Sequence, residues 1–179
     1  RNTKPKRTIF YQAHMDELGF RPFRYLDNGF IQLTPLSHIP TTASNHRIRF
    51  GPTGSVAILL IDDSQKQKSY YADLGAKNAA EAERLVPLYS NGAYLGSFEV
   101  STTQLAGKSF DDRAGCAAIV DLLLKADPED ENQVVGVFTT REETGNWPVP
   151  ELIRCCEKHG FWPDIIINIE ACPGGPTPT

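Results

Sequence analysis

The residues of this chain able to do chemistry are one imidazole and a set of carboxylates, each placed at the end of an apolar run. His14-Met15-Asp16-Glu17 follows Thr8-Ile9-Phe10-Tyr11-Gln12-Ala13. Asp111-Asp112-Arg113 precedes a helix-like stretch, Glu142-Glu143 follows the strand-like run Val134 to Thr140, and Glu170 closes Ile165-Ile166-Ile167-Asn168-Ile169. Open α/β sheets present their reactive groups at the carboxyl ends of strands. Acids gathered there with no cation among them oppose one another's ionisation and are costly to desolvate. The pattern predicts a hydrolase site built around two metal ions.

Each motif by itself also has a plainer reading. His14 and Asp16 are two apart, so in extended backbone they share a face, and Asp16 can hold one ring nitrogen while the other binds metal. The same H-x-D fits a turn carrying a solvated charge pair. Asp111-Asp112 at a helix start fits N-capping and dipole complementation; it equally fits a carboxylate bridging two divalent ions, with Arg113 balancing the excess negative charge. In Glu142-Glu143 one acid would bind metal while its neighbour takes a proton from a metal-activated water. An isolated E-E pair is also commonplace on a solvated surface. Glu170 fits a ligand or an exposed strand end. His38, His46 and His159 sit in loop or helix-terminal contexts and read as structural or surface residues. Order, and placement at successive strand ends, carries the metal reading.

The elements that must position these groups fall into two kinds. Residues 1–20 and 107–179 read as α/β. Thr8 to Ala13, Gln133 to Thr140 and Asp164 to Ile169 are strands, Arg113 to Lys125 is a helix, and Pro150 to His159 is a helix stopped by Gly160. Strands separated by helices imply parallel pairing through crossovers. Residues 21–106 read as an inserted β-rich domain: Phe30 to Leu33, Arg47 to Phe50, Ser55 to Ile61, Ser69 to Asp73 and Ala93 to Val100 are short β pieces separated by Gly, Pro and Asn. One helix is predicted there, with Asn78 as N-cap and Glu81 completing a capping box ahead of Ala82 to Val86.

Composition bounds the function. The 179 residues carry a formal net charge of −4, and the basic residues are scattered apart from the short run Arg1 to Arg7, which gives no support for a nucleic-acid partner. No apolar run reaches bilayer length and no signal peptide is visible. Of the four cysteines, none forms C-x-x-C, so they read as small buried hydrophobes in a reducing, cytoplasmic setting.

Three motifs in order, Ala13-His14-Met15-Asp16-Glu17-Leu18-Gly19-Phe20, Phe110-Asp111-Asp112-Arg113-Ala114-Gly115 and Arg141-Glu142-Glu143-Thr144-Gly145, closely resemble those of the tetrahedral (TET) aminopeptidases. These are dinuclear metallopeptidases of the glutamyl-aminopeptidase type, some of which carry the name endoglucanase. The resemblance covers nearly the whole chain; Gly51 to Ile61 and Tyr71-Ala72-Asp73-Leu74-Gly75-Ala76 are similar to the family's inserted β domain.

The resemblance implies an α/β fold, a zinc-peptidase-like mixed sheet flanked by helices, with a barrel-like dimerisation domain inserted. It implies two divalent ions, zinc or cobalt. His14, Asp111, Glu143 and Glu170 would be metal ligands, Asp111 bridging; Glu142 would be the general base and Asp16 would orient His14. The family has an aspartate where this chain has Glu170. The Asp111–Asp112 peptide bond is implied to be cis. The substrate would be the N-terminal residue of a short peptide, and the assembly a homodimer building a dodecamer. Relative to the family the chain reads as a fragment lacking both ends, including the last metal-binding histidine. Two other readings stay open: a non-catalytic assembly module, and a related two-metal deacetylase or carboxypeptidase-like hydrolase.

Overall fold

The computed structural model describes residues 5–127, 130–145 and 148–172. Its contacts divide the chain into two units: unit 1 is Arg1–Glu17 with Ser109–Thr179, and unit 2 is Leu18–Lys108.

Unit 1 begins with β1 (Thr8–His14), the central strand of its sheet, in which every residue is buried or half-buried. Unit 2 supplies β2 (Gly19–Tyr25), β3 (Ile31–Pro35), a short 3-10 turn (Thr41–Ala43), β4 (Arg47–Phe50), β5 (Val56–Asp62), β6 (Ser69–Asp73), α1 (Ala79–Leu85), β7 (Gly92–Tyr94), β8 (Glu99–Val100) and β9 (Leu105–Ala106). The chain then returns to unit 1 with α2 (Phe110–Lys125), β10 (Gln133–Thr139), α3 (Val149–His159) and β11 (Ile165–Asn168). No described helix is long and apolar enough to cross a membrane.

In unit 1 the strand order is β10-β1-β11, and both pairings are parallel. Parallel neighbours need crossovers, which α2 and α3 provide. The register sets His14 opposite Thr139 and Gln12 opposite Asn168. The loops that follow His14, Thr139 and Asn168 therefore leave from one edge of the sheet. Gly160 takes φ 61° and ends α3, the left-handed conformation that only glycine adopts cheaply.

In unit 2 six strands close into a barrel in the order β2-β3-β6-β5-β4-β7. Alternation drives it: in β4 Ile48 and Phe50 point inward while Arg47 and Arg49 face out. The barrel is filled by Phe20, Ile31, Ile48, Phe50 and Leu59, with Ala82 and Val86 of the α1 region packed on the same cluster. Asn78 caps α1 by accepting the Glu81 N–H at 3.0 Å. The Glu81 carboxylate reaches back to the Lys77 N–H at 2.9 Å, one residue earlier than a standard capping box. At its other end, Tyr25 Oη and Ser55 Oγ each donate at 2.7 Å to the carbonyls of Val86 and Leu85, satisfying groups that a helix end leaves without partners.

The α/β class and the barrel follow the sequence reading, with differences in detail, among them the short β9, which the sequence reading left out. The strand β2 is hidden in the sequence by Arg21, Pro22 and Arg24; a register shift between Pro22 and Arg24 in its pairing with β3 accommodates a residue without an N–H to give. The single piece read over Ala93 to Val100 is two strands, β7 and β8, separated by Leu95 to Phe98.

Candidate metal centre

His14 is the last residue of β1 and is 3% exposed. Its Nε2 lies 2.9 Å from Asp111 Oδ1, 3.5 Å from Glu170 Oε1 and 4.0 Å from Glu142 Oε2. One ligand atom each from His14, Asp111 and Glu170 lie within 4.8 Å of one another. Residues from the end of β1, the start of α2 and the segment after β11 thus converge on one imidazole.

The opposite ring nitrogen, Nδ1, faces Asp16 Oδ1 at 3.6 Å and is buried with no hydrogen-bond partner. Asp16 has a second task that the sequence did not signal. Its carboxylate accepts the backbone N–H of Glu143 at 3.2 Å and that of Glu142 at 3.4 Å. It thereby fastens the loop after β10 to the loop after β1.

Asp111 and Asp112 have non-helical backbone inside the α2 span, and the bond between them is cis, as the resemblance implies. The two acids do different work. Asp112 is 1% exposed, and its Oδ1 accepts the Gly115 N–H at 3.2 Å, so the capping alternative holds for Asp112. Asp111 points at His14 instead. Arg113, read from sequence as balancing the acids of the site, pairs with Glu17 at 3.4 Å and donates from Nε to the Met15 carbonyl at 3.2 Å.

The electrostatics are those of acids crowded around one imidazole. Burial raises the pKa of Glu143, and the negative charges of Asp111 and Glu142 add to it. Burial raises Glu170 as well, helped by its hydrogen bond with Asp111. For His14 burial pulls downward, but its hydrogen bond to the Asp111 carboxylate and the charges of Glu170, Asp111 and Asp16 outweigh it, and its pKa sits above the usual value. Asp112 is raised chiefly by its own burial.

The donor set suits divalent cations. Carboxylate oxygens and a neutral imidazole are standard ligands for such ions. A cation among them would reverse each of the carboxylate shifts. His14, Asp111 and Glu170 form the tight group, Glu142 stands at its border, and Glu143 lies within its field.

A family profile described as M42 glutamyl aminopeptidase matches residues 1–173. The chain belongs to the M42 glutamyl aminopeptidase family. It is similar to a candidate aminopeptidase of Acetivibrio thermocellus, 29% identical over 178 residues, which cover 95% of this chain and 52% of that protein. The chain thus spans about half the length of this curated relative.

The fold likeness to solved structures is equally broad. A TET aminopeptidase from the marine sediment archaeon Thaumarchaeota archaeon SCGC AB-539-E09 superposes with a TM-score of 0.80 at 20% identity, covering 99% of this chain and 54% of that one. The TET1 peptidase of Pyrococcus horikoshii, described as assembling into a tetrahedron or a large octahedral shell, gives a TM-score of 0.74 at 19% identity over 95% of this chain and 56% of that one.

Proposed function

We propose that this M42 member serves a metal-dependent aminopeptidase that removes the N-terminal residue of short peptides. The observation that carries the reading is the convergence of His14, Asp111 and Glu170 within 4.8 Å, bordered by Glu142 and Glu143 on a loop that Asp16 holds.

His14, Asp111, Glu143 and Glu170 would hold two divalent ions, zinc or cobalt. When bound, such ions polarise a carbonyl and acidify water. Glu142 is the general base: its carboxylate accepts the proton of the attacking water and delivers it to the leaving amine as the peptide C–N bond breaks. Asp16 sets the His14 ring through Nδ1 and keeps Glu142 and Glu143 in register. Glu170 is a longer acid than the family's aspartate, and its 3.5 Å approach to His14 Nε2 supports a ligand role.

Unit 2 is the proposed dimerisation domain, from which a larger homo-oligomer is built. Val100 and Leu105, paired across β8 and β9, are exposed by 69% and 57%, apolar surface of the kind a second copy would cover. The compartment is read as cytoplasmic, because Cys116, Cys155, Cys156 and Cys172 are all free.

The test is metal analysis joined to a substrate panel of amino-acid amides and N-acylated amino acids. Two ions per chain with turnover of the amides supports the reading. Turnover of the acylated compounds alone moves the site to deacetylase or carboxypeptidase-like chemistry, and no bound metal leaves an assembly module.

A further inference from the structure

Chain geometry around the metal centre assigns a part to Glu17, an acid that the proposed chemistry leaves unused. The Ser109 hydroxyl donates to Glu17 Oε2 at 2.6 Å. Arg113 donates to Glu17 Oε1 at 3.4 Å, and the same guanidinium donates to the Met15 carbonyl at 3.2 Å. Ser109 stands two residues before Asp111, and Arg113 directly follows Asp112. One carboxylate, three positions beyond His14, therefore grips both flanks of the turn that aims Asp111 at the His14 ring.

Four further observations make this grip matter. Ser109 has φ 61°, a left-handed conformation that costs a non-glycine residue energy and needs outside support. Asp111 and Asp112 take non-helical backbone, so the helical hydrogen-bond ladder does not fix their orientation. The chain also leaves unit 1 after Glu17 and re-enters it at Ser109, so the 2.6 Å bond joins the two ends of the excursion into unit 2. Glu17 is well shielded, its side chain 20% exposed, which strengthens a charge-assisted bond over a surface one.

We infer that Glu17 is a positioning residue of the metal centre: through Ser109 and Arg113 it fixes the Asp111 carboxylate against His14. The inference rests on the metal-centre reading above. Partners that orient ligands are worth about 10–100-fold in metal affinity when removed.

The test uses the full natural polypeptide that carries these residues, in its metal-free form, titrated with cobalt(II) and followed by visible d–d absorption, beside thermal melting of the metal-free protein. Glu17→Ala should weaken cobalt binding about 10–100-fold and change the absorption bands, with little change in melting. Glu17→Gln, which still accepts from Ser109 but loses the charge facing Arg113, should recover part of the affinity. Ser109→Gly removes the hydroxyl while suiting the positive φ, and should shift the bands in the same direction; it keeps the test decisive if Glu17→Ala fails to fold. Variants that match the wild type in cobalt affinity and spectrum overturn this inference alone. A wild type that binds no cobalt overturns the metal-centre reading and this inference with it.

Discussion

Asp16, two residues beyond β1, accepts the backbone N–H of Glu143 at 3.2 Å, which makes it the anchor of the loop that follows β10. β1 and β10 are parallel neighbours, so their following loops leave side by side and a short side chain bridges them. The same carboxylate stands 3.6 Å from the buried Nδ1 of His14. Loop position and ring orientation thus depend on one group.

Asp16→Ala should therefore affect both functions. Metal affinity is expected to fall about 10–100-fold, the usual effect of losing a partner that orients ligands. Asp16→Asn, which keeps one acceptor oxygen, should lie between it and the wild type. Zinc competition against a chromophoric chelator measures this; unchanged affinity in Asp16→Ala would remove the anchor role.

The two neighbouring glutamates should separate cleanly. Glu142→Gln is nearly isosteric but cannot accept a proton, so turnover should fall about 10²–10⁴-fold with both metals retained. Glu143→Gln should lose metal instead. Metal content by elemental analysis, paired with steady-state rates, distinguishes them. A Glu142→Gln variant with a near-normal rate at full occupancy would reassign the base.

The pH dependence follows from the shifted groups. Glu143 and Glu170 have raised pKa values in the folded, metal-free chain. The native state then holds protons that the unfolded state has released, so their contribution to stability is fully present below about pH 4.3 and is lost as pH rises through the folded values. His14 is raised too, and its contribution is present below about pH 6.5 and lost above the folded value in the same sense. Metal-free protein should accordingly lose stability through these groups as pH rises above the ordinary carboxylate range and through their raised folded values, and saturating zinc should restore most of it at the alkaline end. Melting curves with and without chelator test this. Comparison with Glu143→Gln isolates one contributor, which should flatten the profile.

Much of the site was legible because its placement depends on periodicity. Apolar runs ending at His14, Thr140 and Ile169 fix where a parallel sheet brings its carboxyl ends, and Glu170 and Glu142, just beyond the last two, stand 3.5 and 4.0 Å from His14 Nε2, while Asp111, at 2.9 Å, comes from the start of α2. What the sequence withheld is the backbone hydrogen bonding of side chains. Nothing in His14-Met15-Asp16-Glu17 signals that Asp16 would accept from the Glu142 and Glu143 amides, or that Glu17 would meet Ser109 at 2.6 Å. Such contacts depend on loop paths, and loop paths carry no periodic signal. The division between Asp111 and Asp112 was hidden for a related reason: adjacent acids look alike until the backbone turns one toward the ring and the other into the helix. The same limit applied to β2, where Pro22 and its flanking arginines mask an alternation that only the barrel reveals.

In the barrel the sharpest stability prediction is at Gly29. Its φ is +87°, and an added Cβ would lie 1.9 Å from the Ala76 carbonyl oxygen. A backbone atom cannot swing aside as a side chain can. Gly29→Ala should destabilise unit 2 by at least about 1–3 kcal/mol, from the left-handed conformation together with the overlap. A denaturant titration followed by barrel tyrosine fluorescence reads the loss; an unchanged midpoint would mean that the Leu26–Phe30 turn relaxes freely.

Gly115 offers a test that links packing to the metal centre. A Cβ there would come 2.4 Å from Asp112 Oδ1 and 2.7 Å from Oδ2. That carboxylate is buried and accepts the Gly115 N–H through Oδ1, so it has little room to retreat. Alanine is favoured over glycine inside a helix by about 1 kcal/mol, whereas overpacking costs about 1–3 kcal/mol; the second effect should win. Gly115→Ala is therefore expected to lower stability and, by displacing the residue that follows Asp111, to weaken metal binding. In an Asp112→Ala background the space is free and only the helical preference remains, so the same change should be neutral or stabilising. A double-mutant cycle measured by thermal unfolding of the metal-free protein should give a coupling of about 1–3 kcal/mol. Additive effects would show that Asp112 yields easily, and would leave Gly115 as an ordinary small residue of the helix.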